Sequence, residues 1–358
     1  PAMVAPRVSI VIDNYNYGQF VGRAIESALA QTWPDTQVVV VDDGSTDGSR
    51  EVIARYPDVV RVFKSNGGQG SAINAGFAAS RGDLVIFVDS DDLLEPHAVE
   101  RVVGAWQPGA AKIQYRLVMV DAEGQAIDLF PPRDVAFDSG DVVPLLLEKG
   151  RYQTAVMSGN AFPRAILDRI LPMPEPEFRI AADGYLVTLA PLFGPVISID
   201  EPLGTYRLHG DNAWASRGTA SGQHFRRTLE HDLHRYEALA KGAAERGLSL
   251  SGEPGMRDWL HLENRISSLV LDRDEHPSPS DSRLLLGLRG AQAMARSEGL
   301  PLGLRAMLIA WFLSAGFLPR PLAFAAVAWR MAPATRPWLL RKALPLFRLA
   351  GRGAPRAT

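Results

Sequence analysis

The sequence predicts an α/β protein, a mostly parallel sheet with helices on both faces, followed by a C-terminal helical region. Three observations predict it. Four short runs at residues 8–12, 38–41, 59–63 and 84–88 are apolar and β-branched without alternation, the pattern of strands buried on both faces. Between them lie segments whose apolar residues recur three and four apart, the helical period. Polar and acidic residues gather where those runs end, at 13–17, 42–43 and 89–92. In open parallel sheets ligands bind beyond the carboxyl ends of the strands.

The elements follow in order. VSIVI at 8–12 is the first strand and NYNYG at 14–18 a loop. Residues 20–31 set Phe20, Ala24, Ile25, Ala28 and Leu29 on one helical face. VVVV at 38–41 is the second strand, 42–48 a turn with capping residues, and a helix runs to about Arg55. Residues 59–63 form the third strand, 71–80 a helix and 84–88 the fourth strand. From 111 to 206 short strands, proline-rich turns and helices mix. A polar Gly- and Ser-rich stretch at 211–222 reads as a boundary. Helical stretches follow at 223–246, 255–273 and 281–297, the last two separated by HPSPS at 276–280.

Composition narrows the chemistry. With no cysteine among 358 residues, disulfides, thiolate metal sites and cysteine nucleophiles are excluded. The net charge of −2 hides a gradient: no acid follows Glu298, where nine Lys or Arg stand, leaving −11 on the first 298 residues. An acidic body is a poor partner for nucleic acid. Pro1 and Ala2 precede Met3, and no basic stretch with an apolar core comes before the first strand, so no secretory signal is expected and the catalytic part is expected in the cytoplasm.

Asp89-Ser90-Asp91-Asp92 closes the fourth strand with three carboxylates. Such clusters repel unless compensated, and oxygen-rich ones suit Mg²⁺ or Mn²⁺; for a lone triplet, a plain turn with a helix cap is the simpler account. The triplet does not stand alone. Tyr15-Asn16, the run from Asp42 to Asp47 (DDGSTD), Asn74-Ala75-Gly76 and Asp89-Ser90-Asp91 occur in one order over about ninety residues, and this pattern resembles glycosyltransferase family 2. The resemblance implies the GT-A fold, a Rossmann-like nucleotide-binding sheet continuous with an acceptor region. It places Asp43 on the donor's base, with Tyr15 beside it, Asp89 on the ribose or the metal's waters, and Asp91 on a divalent metal, Mn²⁺ or Mg²⁺. Asp13 departs from the pattern, since many members carry Pro or Thr there.

Downstream, Ser158-Gly159-Asn160 resembles the family's small-residue loop beside the transferred sugar, and Asp183 falls where the family has its general base. Asp183 also reads as a helix N-cap before residues 185–192. Tyr206-Arg207-Leu208-His209 resembles a closing motif whose histidine, here His209, joins the metal or the diphosphate. Arg207 is then a candidate diphosphate contact, or the partner of Glu201.

The expected organisation is a catalytic domain at 1–212 (donor half about 1–110, acceptor half about 111–212), a helical extension at 213–298 and basic amphipathic helices at 299–358. In that tail, apolar pieces at 302–318, 322–332 and 338–349 are too short to span a bilayer. With Trp311, Trp329 and Trp338 suited to the headgroup boundary, they are expected to lie on an anionic membrane; a packed helical subdomain or a dimer interface is the alternative. The expected function is an inverting transfer from a nucleotide sugar, a UDP-sugar by resemblance, to a hydroxyl of a glycan or lipid-linked acceptor in polysaccharide synthesis. A sugar nucleotidyltransferase is the alternative enzyme, although its Gly-rich basic loop is missing after the first strand. An inactive glycan-binding relative is the non-enzymatic one.

Overall fold

A computed structural model of the chain describes residues 5–209, 221–297 and 300–331. The described residues divide into two compact units, 5–144 with 152–209, and 145–151 with 221–297 and 300–331.

The first unit is built on one sheet. Strands β1 (Val8–Asn14), β2 (Thr36–Asp42), β3 (Val60–Phe63) and β4 (Leu84–Asp89) form a parallel half in the order β3-β2-β1-β4. The sheet continues through β7 (Asn160–Pro163), antiparallel to β4, then β5 (Lys112–Val120) and β6 (Ala126–Phe130), while β8 (Val196–Arg207) pairs in parallel with β5. The sheet is thus mixed, with its parallel core where the unalternated apolar runs predict it.

Alternate side chains of these strands serve opposite layers. Val8, Ile10, Ile12, Val38, Val40 and Ile86 pack on helices α1 (Gly18–Leu29) and α4 (Ala98–Ala105). The other face meets α3 (Gln69–Ala79), where a Cβ on Gly76 would stand 2.3 Å from Val11 Cγ1, so only glycine lets that helix lie so close. One expectation is corrected here. β3 is an exposed edge, with Val60 and Phe63 each about two-fifths or more exposed, because among the described strands only β2 pairs with it. The short helix α2 (Ser49–Ile53) precedes it.

Helices α6 (Arg164–Ile170) and α7 (Asp183–Leu189) complete the connections of the sheet, while α5 (Val143–Lys149) falls mostly in the second unit. The second unit is helical: α8 (Gly222–Glu245), α9 (Trp259–Leu271), α10 (Arg283–Arg296), α11 (Leu302–Phe317) and α12 (Arg320–Met331). Leu262 and Ile266 of α9, Leu286 of α10, Trp311 and Phe312 of α11 and Val327 of α12 share one core. Trp311, expected at a headgroup boundary, is instead buried there and donates its indole N–H to the Ala326 carbonyl at 2.9 Å. Pro321, read as part of a break, sits in the first turn of α12, where a missing N–H costs no helical bond. Trp329 is half-buried. Trp338, the piece at 338–349 and most of the 211–222 boundary lie outside the described residues. Among the described residues no helix is long and apolar enough to cross a membrane.

Candidate active site

The ends of β1, β2 and β4 carry the acidic residues to one edge of the sheet. Register fixes the pairing: Asp13 of β1 lies level with Asp89 of β4, and Asn14 with Asp42 of β2. Asp42 is structural. It bonds Arg50 Nε at 2.8 Å, Asn14 Nδ2 at 3.2 Å and the Ser45 N–H at 3.1 Å. Burial pushes its carboxyl up, but these bonds outweigh it and leave it lowered. Asp47 accepts from the N–H groups of Gly18 and Ser49, both at 2.9 Å, joining the loops after β1 and β2.

Asp43 is buried and well supplied. Oδ1 accepts from Lys64 Nζ at 2.6 Å and the Gly67 N–H at 2.9 Å, and Oδ2 from the Gly68 N–H at 2.7 Å. A carboxylate offers about four acceptor positions, so Oδ2 retains capacity for one more donor. Tyr15 is half exposed in the preceding loop.

The β4 cluster divides by role. Asp92 is an anchor: Oδ2 accepts from the Ser158 hydroxyl at 2.6 Å and Oδ1 from the Arg207 N–H at 2.8 Å. Asp91 Oδ2 lies 2.8 Å from His209 Nε2, and that imidazole is packed between Tyr17 and Phe20 with ring centroids 5.2 and 5.1 Å away. Asp89 Oδ1 accepts from Gln69 Nε2 at 2.8 Å. Burial first, then repulsion among Asp13, Asp91 and Asp92, holds the Asp89 carboxyl well above the usual range; Asp92 is raised by burial and Asp91. Asp13 is pushed up to about 7 by burial, against a Gln69 bond that lowers it, and its Oδ1 has no hydrogen-bond partner.

The other expected positions are placed as follows. Ser158, Gly159 and Asn160 are buried. Ser158 ties Asp92 to the Asp89 N–H, Asn160 Nδ2 bonds the Val156 carbonyl at 2.6 Å, and a Cβ on Gly159 would meet Ala155 Cβ at 2.6 Å. Ser158 thus braces Asp92 from the buried side of the cluster. The Arg207 guanidinium bonds the carbonyls of Asp91, Asp121 and Ala122 at 2.9, 3.2 and 3.2 Å and lies over Phe20. Glu201 pairs with Arg101 at 3.3 Å. Asp183 stands in the first turn of α7, and the cap position belongs to Ala182.

Sequence reasoning missed Gln69, Lys64 and Lys112. The pair Gly67-Gly68 was the available signal for the first two, since it marks close backbone approach before a helix. Lys112 is fully buried in β5, bonded to Thr154 Oγ1 at 2.5 Å and lying over the Tyr152 ring; burial lowers its amine far below the ordinary value while the charge of Asp183 raises it. A lysine inside an apolar strand gave no sequence cue.

A divalent cation fits this edge. A carboxylate and an imidazole touch at Asp91 and His209, amid carboxyls that burial and mutual repulsion keep from ionising. Among the described residues no three His, Cys, Asp or Glu side chains converge on one metal position, and the oxygens of a bound diphosphate and water are of the kind that such a cation takes as further ligands.

Residues 9–127 match the family model described as "Glycosyl transferase family 2". The chain is 36% identical over 224 residues to an uncharacterised glycosyltransferase of Nostoc sp., covering 61% of this chain and 69% of that protein. It is 37% identical over 135 residues to the succinoglycan biosynthesis protein ExoO of Rhizobium meliloti, covering 37% of this chain and only 39% of ExoO. Among solved structures, S. aureus TarS 1-349 in complex with UDP-GlcNAc superposes with a TM-score of 0.50 at 14% identity, covering 92% of this chain and 91% of that one. That likeness is one of fold.

Proposed function

The chain belongs to glycosyltransferase family 2 and is a glycosyltransferase, and from that premise we propose that it moves a sugar with inversion from a nucleotide diphosphate donor, a UDP-sugar, to a hydroxyl of a glycan or lipid-linked acceptor. The observation that carries this reading is the meeting of Asp13, Asp89, Asp91 and His209 at the ends of two neighbouring parallel strands.

In this reading Asp43 Oδ2 accepts from the imide N–H of the base, with Tyr15 alongside, and Asp89 faces the ribose. Asp91 and His209 would hold Mn²⁺ or Mg²⁺, which when bound offsets the charge of the leaving diphosphate. Asp183 takes the proton from the acceptor hydroxyl as its oxygen bonds to the anomeric carbon and the bond to the diphosphate breaks. Ser158 and Arg207 hold Asp92, and in this reading the 158–160 loop lies beside the transferred sugar and Arg207 near the diphosphate. Similar proteins support the direction: ExoO is a succinoglycan biosynthesis protein and TarS was crystallised with UDP-GlcNAc.

The test is release of nucleoside diphosphate from a panel of UDP- and GDP-sugars. Asp91→Asn is expected to remove Mn²⁺-dependent turnover with the fold intact. Asp183→Asn should keep UDP affinity and lose about 10²-fold or more in turnover, the scale of lost proton transfer. Asp43→Ala should weaken UDP binding even without metal. Full activity in Asp91→Asn refutes the reading.

We further propose that the helical unit rests on an anionic membrane surface. Leu284, Leu288, Leu313, Phe317, Leu322 and Phe324 are exposed on α10, α11 and α12. The described part of 282–331 holds six arginines and no acid. Apolar side chains among arginines match anionic headgroups. Because α11 and α12 share the core of α9 and α10, point substitution is the proper test. Leu313→Ser with Phe317→Ser and Phe324→Ser should abolish flotation with anionic vesicles and leave turnover of a soluble acceptor unchanged.

A further inference from the structure

Gln69 takes no part in the chemistry above, yet its side chain joins the two halves of the site. Its Nε2 donates to Asp89 Oδ1 at 2.8 Å, and its Oε1 accepts from the Ala182 N–H at 3.0 Å. The polarity is fixed by Ala182: its backbone N–H only donates, so the amide oxygen faces it and the amide nitrogen is left to donate to Asp89. The main chain repeats the connection. The Gln69 N–H donates to the Arg179 carbonyl at 2.9 Å and the Gly70 N–H to the Phe178 carbonyl at 3.0 Å. Approach is close enough that a Cβ on Gly68 or Gly70 would stand 2.7 Å from the oxygen of Arg179 or Phe178 respectively.

The segment held in this way is strained. Ala181 has φ 56, a left-handed conformation unusual for alanine, and persists only where its surroundings dictate it. Asp183 begins α7 two residues later. On the other side, the same loop gives the N–H groups of Gly67 and Gly68 to Asp43. One stretch, residues 67–70, therefore contacts the base-reading carboxylate, the β4 carboxylate and the turn that carries Asp183.

We propose that Gln69 is a positioning residue that fixes Asp183 against Asp89 and couples nucleotide binding at Asp43 to the order of the 178–183 turn. The inference rests on the reading of Asp183 as the base. Removing the amide leaves Asp89 without this donor and the Ala182 N–H without its acceptor, and frees the strained turn to relax. A displacement on the order of 1 Å at a reacting group costs up to about 100-fold in rate.

The experiment compares Gln69→Met, of similar length without the amide, with Gln69→Glu, which can accept from Ala182 but cannot donate to Asp89 when ionised. Asp183→Asn serves as the reference. The readouts are kcat and KM for Mn²⁺-dependent nucleoside diphosphate release from UDP-glucose, UDP-N-acetylglucosamine and GDP-mannose, UDP affinity by calorimetry, and hydrogen exchange of the 178–189 segment. Gln69→Met is expected to lower kcat by about tenfold or more while KM and UDP affinity stay within about twofold. UDP with Mn²⁺ should slow exchange at 182–185 in the native chain and not in Gln69→Met. Gln69→Glu should be no better than Gln69→Met. Native kcat in both Gln69 variants with an inactive Asp183→Asn overturns the inference alone. Equal loss of kcat, UDP affinity and thermal stability also overturns it, by making Gln69 a fold residue. Full turnover in Asp183→Asn overturns the underlying reading.

Discussion

Asp13 is an acid at the end of a buried strand, with one oxygen unbonded and its carboxyl raised from 3.8 to about 7 by burial. The sign of its effect follows. A carboxyl raised in the fold holds its proton more tightly folded than unfolded, so ionising it costs stability. The cost is absent below the unfolded value, grows as pH rises and is complete above about 7. Without metal, the melting temperature of the chain should fall between pH 5 and pH 8, and Asp13→Asn should make the fall shallower; calorimetry across that range, with and without Mn²⁺, checks it. Arg207 gives a contrasting expectation. Its guanidinium serves three carbonyls, of which that of Asp91 is buried, so Arg207→Met should destabilise by about 1–3 kcal/mol for that acceptor left unmet. A selective loss of UDP affinity in the folded protein would mark a diphosphate contact. At this scale the carboxylates were legible in the sequence because they sit at strand ends. The inward orientation of Ser158, Asn160 and Arg207 was not, since a motif reports residue types without the direction in which they point. Nor was Gln69, whose partner Ala182 lies 113 residues away.

Elements read most clearly where local pattern and packing agree. The parallel strands were plain because both their faces are covered, whereas β3 carries the same β-branched signature and lies exposed at the edge. Helix α3 begins at Gln69, two residues before its apolar period suggests, because the carbonyls of Phe178 and Arg179 take its first N–H groups. In the helical unit, α10 crosses α11 at glycines. A Cβ on Gly287 would stand 2.9 Å from both Gly316 Cα and the Phe312 carbonyl oxygen, neither of which can rotate away. Gly287→Val is therefore expected to cost about 1–3 kcal/mol, the range for overpacking, with no change in nucleotide binding. Urea unfolding checks the first part and calorimetry the second; an unchanged midpoint would mean that the helices separate freely.

The two units should answer pH in opposite senses. In the helical unit, Asp281 bonds Arg265 at 2.5 and 2.9 Å and His276 at 2.9 Å. Burial raises Asp281, but these partners outweigh it and leave it lowered, and Asp232 is likewise lowered by Arg235 and His261 against burial. A lowered carboxyl contributes stability that is fully present above its unfolded value near 3.9 and is lost as pH falls through the folded value. Below about pH 4 the helical unit should unfold, while the catalytic unit, relieved of its repelling carboxylates, should hold longer; far-UV circular dichroism with proteolysis distinguishes them. Asp281→Asn should bring much of that loss to neutral pH, at about 3–5 kcal/mol for a broken buried pair. The charge gradient was visible in the sequence, yet the burial of Trp311 was not, because an apolar, acid-free helix looks alike whether it faces lipid or a neighbouring helix.

The path of the chain between the units also bears on how the protein is made. Residues 145–151 lie inside the early, sheet-forming part of the sequence but belong to the late, helical unit, where Arg151 pairs with Asp258 and Gly150 packs under Tyr236. A ribosome adding about 5–20 residues per second emits Arg151 roughly 5–20 s before the partner 107 residues downstream. Throughout that interval the nascent sheet carries a strip of chain whose final neighbours do not yet exist. Maturation then closes backwards, with α8 and α9 collecting a segment left behind by the earlier-made sheet, and no single cut in the gene yields two pieces that each hold a complete unit.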